Sequence, residues 1–348
     1  MAPDGKETPA FMKKVVYPNL GSQSRRLKVG PGIGLDNGVI SLGNRRVLIV
    51  TTDPVSAIPA FGMKLSGWLS VHLIASDLTS SGIDPEFAIF TYNFPPLMSS
   101  YEREEYIRAI GAECRNLGIA IAAGHTGTYP GGGYTVIGSG TMFGFAKEGR
   151  YLTPAMAKIG DRILMTKHAA IEAAASLALS FPEYVERKVG PGIARRAKSL
   201  VKLCTTVGDA RTTGRAGLGP RGVTTMHDAT EGGVLGALDE IAGASRKAFE
   251  VDAGKIPVSG EAVAVCRAFR IDPLVTMAEG ALLITCRPWR VDEVSRRLRR
   301  SGIDVTEIGV VKEGEGLTVA RGGRSNRFRA RQDKYWTAYE DAVRQGLE

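Results

Sequence analysis

The order of strand and helix signals along this chain predicts an α+β protein with α/β alternation, organised as two domains. Three observations carry the prediction. Strand-like and helix-like stretches alternate through the first half, a polar join marked by Pro154 and Gly160-Asp161 follows, and the alternation then restarts. A length of 348 residues is about two domains and is ample for sizeable cores. The division falls near residue 155, giving domains 1–155 and 156–348.

Each element follows from local pattern. Arg46–Thr51 and Phe87–Tyr92 read as strands, and Val47 onward closes at Asp53. Trp68–Ser81 is a helix pattern rich in small residues, ahead of Gly82. Tyr101–Leu117 reads as a helix because Ile107, Ile110, Cys114 and Leu117 recur at helical spacing. Ile119–Ala123 is a strand ending at Gly124-His-Thr-Gly, and Tyr134–Ala146 is strand-like with interspersed glycines. In the second half, Arg162–Thr166 is a strand and Ala169–Leu179 an alanine-rich helix. Pro182–Arg221 is polar, basic and glycine-rich. Gly222–Met226, Leu282–Cys286 and Ile303–Val311 read as strands, with a basic helix over Val291–Arg300.

Composition narrows the class. The 43% hydrophobic and 23% charged content is that of an ordinary globular protein. No apolar run reaches the roughly 18–20 residues needed to span a bilayer, and Met1–Thr8 is too polar for a signal peptide. Cys114, Cys204, Cys266 and Cys286 form no CxxC pair, which argues against zinc and disulfides and for a reducing cytoplasm. The net charge of +9 could attract polyanions. However, the basic residues gather in Arg296–Arg300 and Arg321–Arg331, and no aromatic residues interleave with the first cluster. A solvated helix face and a basic tail are expected, with no specific nucleic acid and no membrane as partner.

Chemistry concentrates in two places. Met226–Leu238 reads MHDATEGGVLGAL: a strand runs into Asp228, Thr230, Glu231 and the pair Gly232-Gly233, and then into a helix. Such a turn can present backbone N–H groups to an anion, while Asp228 or Glu231 could hold a metal against phosphate. The same pattern also describes a plain helix start with Thr230 as N-cap. Upstream, between Gly30 and Asp84, Asp36, Asp53 and Asp77 each end or border an apolar run. Singly each is an ordinary turn or cap residue; together they could form an oxygen-rich Mg²⁺ site completed by a polyphosphate.

The motif order resembles the superfamily of aminoimidazole ribonucleotide (AIR) synthetase (PurM), selenophosphate synthetase, thiamine-monophosphate kinase and the hydrogenase-maturation protein HypE. The matching segments are GLDNGVI, VTTDPV, ASDLTSSGIDP, GHTGTYPG (Gly124–Gly131) and MHDATEGG, from about Gly30 to Gly280. The resemblance implies a PurM-like two-domain fold: a ferredoxin-like N-terminal domain that pairs across a homodimer into a β-barrel, plus a C-terminal α/β domain. It also implies ATP and Mg²⁺ as ligands. No cysteine precedes Cys114, unlike selenophosphate synthetases, and Thr166–Ala178 lacks the AIR synthetase segment. The nearest likeness is to HypE, through the D-x-T-x-GG segment and Ile171-Glu172. Yet the chain ends Arg344-Gln-Gly-Leu-Glu348, without the terminal cysteine on which HypE carries its carbamoyl group. The expectation is therefore a HypE-like, AIR synthase-related protein whose acceptor differs or is brought by a protein substrate or maturation partner.

On this reading Asp36, Asp53 and Asp77 bind Mg²⁺ and the polyphosphate, and Thr126, Gly232 and Gly233 contact the cofactor. Asp228, Glu231 and His125 are the catalytic candidates; His125 replaces an acid found in several relatives, which suits a phosphate donor or general base better than a Mg²⁺ ligand. Structural roles are expected for His72, His168 and His227, while Lys28 and Lys167 are candidate phosphate contacts. The expected activity is ATP-dependent activation of an amide, carbonyl or carbamoyl-type acceptor. Thiamine-monophosphate kinase or AIR synthetase activity is the enzymatic alternative. A non-catalytic nucleotide-binding maturation or regulatory partner is the other.

Overall fold

A computed structural model describes residues 5–347. The polar leading segment Met1–Thr8 and the final Glu348 thus lie partly outside the described residues. The first sheet has six strands: β1 (Leu27–Val29), β2 (Gly38–Gly43), β3 (Arg46–Ser56), β4 (Phe87–Phe94), β5 (Ala120–Thr128) and β6 (Val136–Lys147). Their order is β1-β2-β3-β6-β4-β5, antiparallel except for the β4–β5 pair. Period-two alternation builds β3: Val47, Ile49 and Thr51 are buried, whereas Arg46 and Thr52 face out.

Two helices, Met63–Ser80 and Ser100–Leu117, cover this sheet. The second begins at a reciprocal capping box between Ser99 and Glu102. They cross closely because Gly67 has no side chain: a Cβ there would come within 2.9 Å of the Tyr106 carbonyl oxygen. Ser70 and Tyr106 then share a buried 2.8 Å hydrogen bond across the crossing.

The second sheet has seven strands: β7 (Arg162–Thr166), β8 (Val223–Asp228), β9 (Ala248–Asp252), β10 (Leu282–Cys286), β11 (Val305–Lys312), β12 (Gly316–Arg321) and β13 (Arg324–Phe328). The order is β13-β12-β9-β11-β7-β10-β8, with β9–β12 the one parallel pair. Every residue of β8 and β10 is buried. β8 is an edge strand, and the Met63–Ser80 helix of the first unit packs against it. That junction positions the site.

The structure departs from the sequence expectations at several points. β3 continues through Asp53 to Ser56, so Asp53 sits within a strand instead of closing one. β5 likewise continues to Thr128, placing Gly124-His-Thr-Gly inside it. The polar stretch after Pro182 folds into helices Pro182–Val189, Pro191–Ser199 and Val207–Gly214, whose buried alanines and valines join the core. The basic tail is no tail: Arg324–Phe328 pairs with β12, and Lys334–Arg344 is a helix. Only its spacing of buried Tyr335 and Ala342 marks that helix, and the charge around it hides the signal.

Candidate active site

Five elements converge where the two sheets meet. The segment before β2 supplies Asp36, β3 supplies Asp53, and the last turn of the Met63–Ser80 helix supplies Asp77. The end of β8 supplies His227 and Asp228. The Gly233–Ser245 helix adds Glu240. His227 Nδ1 is 2.7 Å from Asp36 Oδ2, and its Nε2 is 3.1 Å from Glu240 Oε2. The Asp36 contact is an ion pair off the hydrogen-bond direction. Asp36, His227 and Asp228 each present an atom within 4.8 Å of the others. Thr51 ties strand to helix: its hydroxyl lies 2.9 Å from the Asp36 carbonyl and 3.2 Å from Asp77 Oδ2. The Asn37 amide donates to the Asp77 carbonyl at 2.8 Å.

The cluster is strongly anionic. Burial raises Asp228 to about 6, helped by Asp36. Burial raises Asp53 to about 7, and although Lys6 opposes this, Asp228 and Asp36 add to it. Asp77 is pushed well above the carboxylate range by burial and then by Asp228, Asp36 and Asp53. Burial also lifts Glu279 far above its usual value and Glu172 to about 8, with Asp228 next for Glu279 and Glu231 next for Glu172. For Asp36, burial is outweighed by the His227 charge, and its carboxyl stays below the ordinary range. Burial likewise opposes the charge on His227, yet Asp36 and Glu240 hold the ring well above the usual histidine value. Between Asp36 and Glu240, His227 is held toward its protonated form and balances their charge.

Both carboxylate oxygens of Asp228, which is 1% exposed, lack a hydrogen-bond partner, as does Glu279 Oε1. Buried, unpartnered carboxylate oxygens beside further acids are the hard donor set that suits Mg²⁺. Asp228, with Asp36, Asp53 and Asp77, therefore fits a divalent cation.

The turn after β8 is clamped from both sides. Glu231 accepts the Lys6 backbone N–H at 2.7 Å and the Trp336 indole N–H at 3.0 Å. Lys6 Nζ reaches the Thr230 hydroxyl at 3.0 Å. Burial works against the Lys6 charge, but Glu240, Asp36, Asp77 and Asp228 hold its ammonium above the usual lysine range. The N-cap of the following helix is Gly232, at φ 81°, and not Thr230. The Gly232 N–H donates to Asp333 Oδ2 at 3.0 Å, and the Gly233 N–H to the Thr230 carbonyl at 3.1 Å. Both are thus engaged within the chain. Gly233 gives packing space instead of ligand space: a Cβ there would lie 2.6 Å from the Thr276 carbonyl oxygen.

The structure thus brings together Asp36, Asp53, Asp77 and Asp228, with Glu231 on the rim. His125 and Thr126 lie on β5, three strands along the sheet from β3. At about 4.8 Å per strand that is roughly 14 Å. The exposed His125 ring bonds to the Tyr129 hydroxyl at 2.6 Å. Lys167 is pinned by Asp209 at 2.9 Å and by two carbonyls, and His168 contacts the Ala169 carbonyl. His72 is structural, between Thr205 and Glu113. His227, expected to be structural, stands inside the cluster. Lys6, Glu240, Glu279, Asp333 and Trp336 were not legible as site residues. Only Glu279 carried a signal, since Glu279-Gly280 precedes the apolar run of β10 just as Asp228 ends that of β8.

Two family models match: the AIR synthase related protein N-terminal domain over residues 34–146, and the C-terminal domain over 158–322. The carbamoyl dehydratase HypE of Rhizobium leguminosarum bv. viciae is 27% identical over 236 residues, covering 67% of this chain and 63% of its own. The chain thus spans a little under two thirds of that relative's length. A hydrogenase expression/formation protein of Methanocaldococcus jannaschii is 24% identical, covering 75% of this chain and 74% of its own. Among solved structures, a HypE–HypF complex superposes with TM-score 0.72 at 18% identity, over 92% of this chain and 100% of that one. HypE in complex with ATP gives 0.64 at 18%, over 95% and 97%. A thiamine-monophosphate kinase, AaThiL, complexed with AMPPCP and TMP gives 0.67 at 19%, over 85% and 89%. These structures share the PurM-like two-domain fold of this chain. The chain belongs to the AIR synthase related family, on its HypE-like side.

Proposed function

We propose that this protein is an ATP-dependent, Mg²⁺-requiring enzyme that activates an amide, carbonyl or carbamoyl-type oxygen by phosphorylation. The observation that carries the reading is Asp228: a buried carboxylate without a hydrogen-bond partner at either oxygen, clustered with Asp36 and His227 and in the field of Asp53 and Asp77. Bound Mg-ATP supplies the divalent charge and the phosphoryl group. The four aspartates would hold the cation, and His227 would fix the Asp36 carboxylate. Glu172, raised to about 8, and Glu279, raised by burial and by Asp228, are the candidates to carry a proton at the acceptor. Domains divide near residue 155.

The second reading, a nucleotide-binding maturation or regulatory partner without turnover, is favoured by one observation. The helix N-terminus at Gly232, the expected anion seat, is filled by Asp333. The relatives in a HypE–HypF complex and with bound ATP support a protein partner or protein substrate here too. The unit of action is a cytoplasmic homodimer. β5 is an edge strand, exposed at every residue except Gly127, and its Ile121 and the neighbouring Ile89 of β4 are exposed hydrophobic side chains. Such an edge is open to pairing with a second copy. Four free, buried cysteines suit a reducing compartment. Incubating the protein with Mg-ATP and following ADP and AMP against amide, carbamoyl and thiamine-monophosphate acceptors tests the enzymatic reading. Nucleotide binding with no turnover on any acceptor or water overturns it in favour of the second.

A further inference from the structure

Away from the acid cluster, one end of the second sheet carries an open groove of about 730 Å³. Its centre is apolar: Trp289 is 65% exposed and Ile159 51%, with Pro220 beside them. Apolar side chains gathered in one groove, unlike ones scattered over a surface, mark an interaction site. The indole is held in place. Arg287 lies over the Trp289 ring, 5.1 Å from its centroid. That guanidinium donates to Asp161 Oδ1 at 2.8 Å and to the Ile159 carbonyl at 3.2 Å. Asp161 is fully buried and also accepts from the Thr224 hydroxyl at 2.6 Å and the Lys158 N–H at 2.8 Å. A buried carboxylate thus fixes the arginine, and the arginine fixes an exposed ring. A side chain ordered beforehand loses little entropy on binding, which suits an interface anchor.

The rim is cationic. Lys158, Arg221 and Lys247 line it, and none has an acidic partner among the described residues. Arg290 adds a charge that it shares with Glu293, and no acid is among the residues lining the groove. The acid cluster is distant: Arg221 lies just before β8, and Asp228 ends that strand. Six residues at about 3.3 Å each put the two roughly 20 Å apart.

From this arrangement we infer that the groove is a docking seat for an acidic segment of a protein partner. That segment offers an apolar side chain to Trp289 and carboxylates to Lys158, Arg221 and Lys247. Charge sets the sign of the partner, and the apolar centre sets its class. A nucleic acid would want further rings for stacking, yet Trp289 is the one aromatic residue lining the groove, and Arg287 already covers it. Ile159 and Pro220 offer no stacking surface but suit the side chains of a peptide. A second copy of this chain fits poorly, since it carries the same net charge of +9. Resting on the partner reading of the preceding section, the groove gives that partner a place and a chemistry.

The probe is a short fluorescein-labelled peptide of Asp and Glu around a central Leu, followed by anisotropy on the full chain. The same peptide with Gly for Leu, and a single-stranded oligothymidylate of matched charge, are the comparison ligands. The variants are Trp289→Ala and the double reversal Lys158→Glu with Arg221→Glu. Arg296→Glu, on the basic helix outside the groove, controls for net charge. All the altered residues are exposed, and melting temperatures check that each variant folds. Trp289→Ala and the double reversal should each weaken the acidic peptide at least about tenfold, as loss of an anchor does. Arg296→Glu should change it less than about twofold, as distant surface charges are screened. Replacing Leu by Gly should weaken binding to the unaltered chain but not to Trp289→Ala. ATP turnover on the same variants should not move, which keeps failure of the seat apart from failure of the catalytic reading. A peptide that does not bind the unaltered chain overturns the seat. Binding indifferent to Trp289, or lost equally in Arg296→Glu, overturns it in favour of bulk charge. Oligothymidylate bound as tightly as the peptide, and weakened by Trp289→Ala, overturns it in favour of single-stranded nucleic acid.

Discussion

His227 and Asp36 form an ion pair 2.7 Å long in which the histidine is 2% exposed, with Glu240 on the other ring nitrogen. The ring should therefore titrate above the ordinary histidine range, read from its ¹⁵N shifts in an NMR titration. His227→Leu keeps the volume but leaves Asp36 and Glu240 facing each other without a cation. A loss of about 3 kcal/mol in denaturant unfolding is expected, the usual cost of breaking a buried pair. A ring that titrates near pH 6.5 would undo the assignment.

Asp228→Asn separates chemistry from stability. The substitution removes a buried charge that no hydrogen bond compensates. The metal-free variant should melt at or above the wild-type temperature, whereas ATP turnover should fall roughly 10²-fold or more. Lower melting with intact turnover is the outcome of a purely structural aspartate.

Acid pH should stabilise the metal-free protein. Asp228, Asp53 and Glu172 have folded values raised to about 6, 7 and 8. A raised acid binds its proton more tightly when folded, so its contribution is complete below the unfolded value near 4 and is lost as pH rises through the folded one. Melting temperature in chelator should thus decline from about pH 5 to pH 8. Mg²⁺ should flatten that slope by favouring the ionised forms, and parallel slopes with and without Mg²⁺ would contradict a cation at these residues.

Asp333 caps two helices at once, accepting from Gly232 at 3.0 Å and from Tyr335 at 2.8 Å. Asp333→Ala should cost about 2 kcal/mol, twice the typical value of one cap. It should also shift the emission of Trp336, which bonds to the neighbouring Glu231. Thermal melts and fluorescence on this variant check both.

Light scattering at micromolar concentration should report a dimer. Ile121→Arg, on the exposed edge strand β5, should shift it toward monomer without lowering the melting temperature of the chain by more than a few degrees. A wild-type monomer with full ATP binding would sink the dimer proposal.

Much of this architecture is readable from local pattern. β10 and the Val291–Arg300 helix occupy the expected residues because a continuous apolar run and a buried Val294–Leu298 stripe leave little choice. Asp36, Asp53, Asp77 and Asp228 were legible for a related reason, as acids at the borders of apolar runs. What failed was long-range. Lys6, Asp333 and Trp336 meet the turn after β8 across more than a hundred residues, and nothing in their own neighbourhoods announces it. Conversely, His125 sits in a segment suggestive of a site, yet strand order carries it away from β3.

The clamp on that turn also sets a schedule for synthesis. Gly232 waits for a carboxylate 101 positions downstream, and Glu231 for an indole 105 positions downstream. At about 5–20 residues per second, the ribosome leaves the turn uncapped for roughly 5–20 s, plus the time to clear the exit tunnel. During that interval both sheets can form while their junction stays unlatched. Nascent chains should therefore acquire nucleotide or cation affinity only after Trp336 has emerged, later than either core.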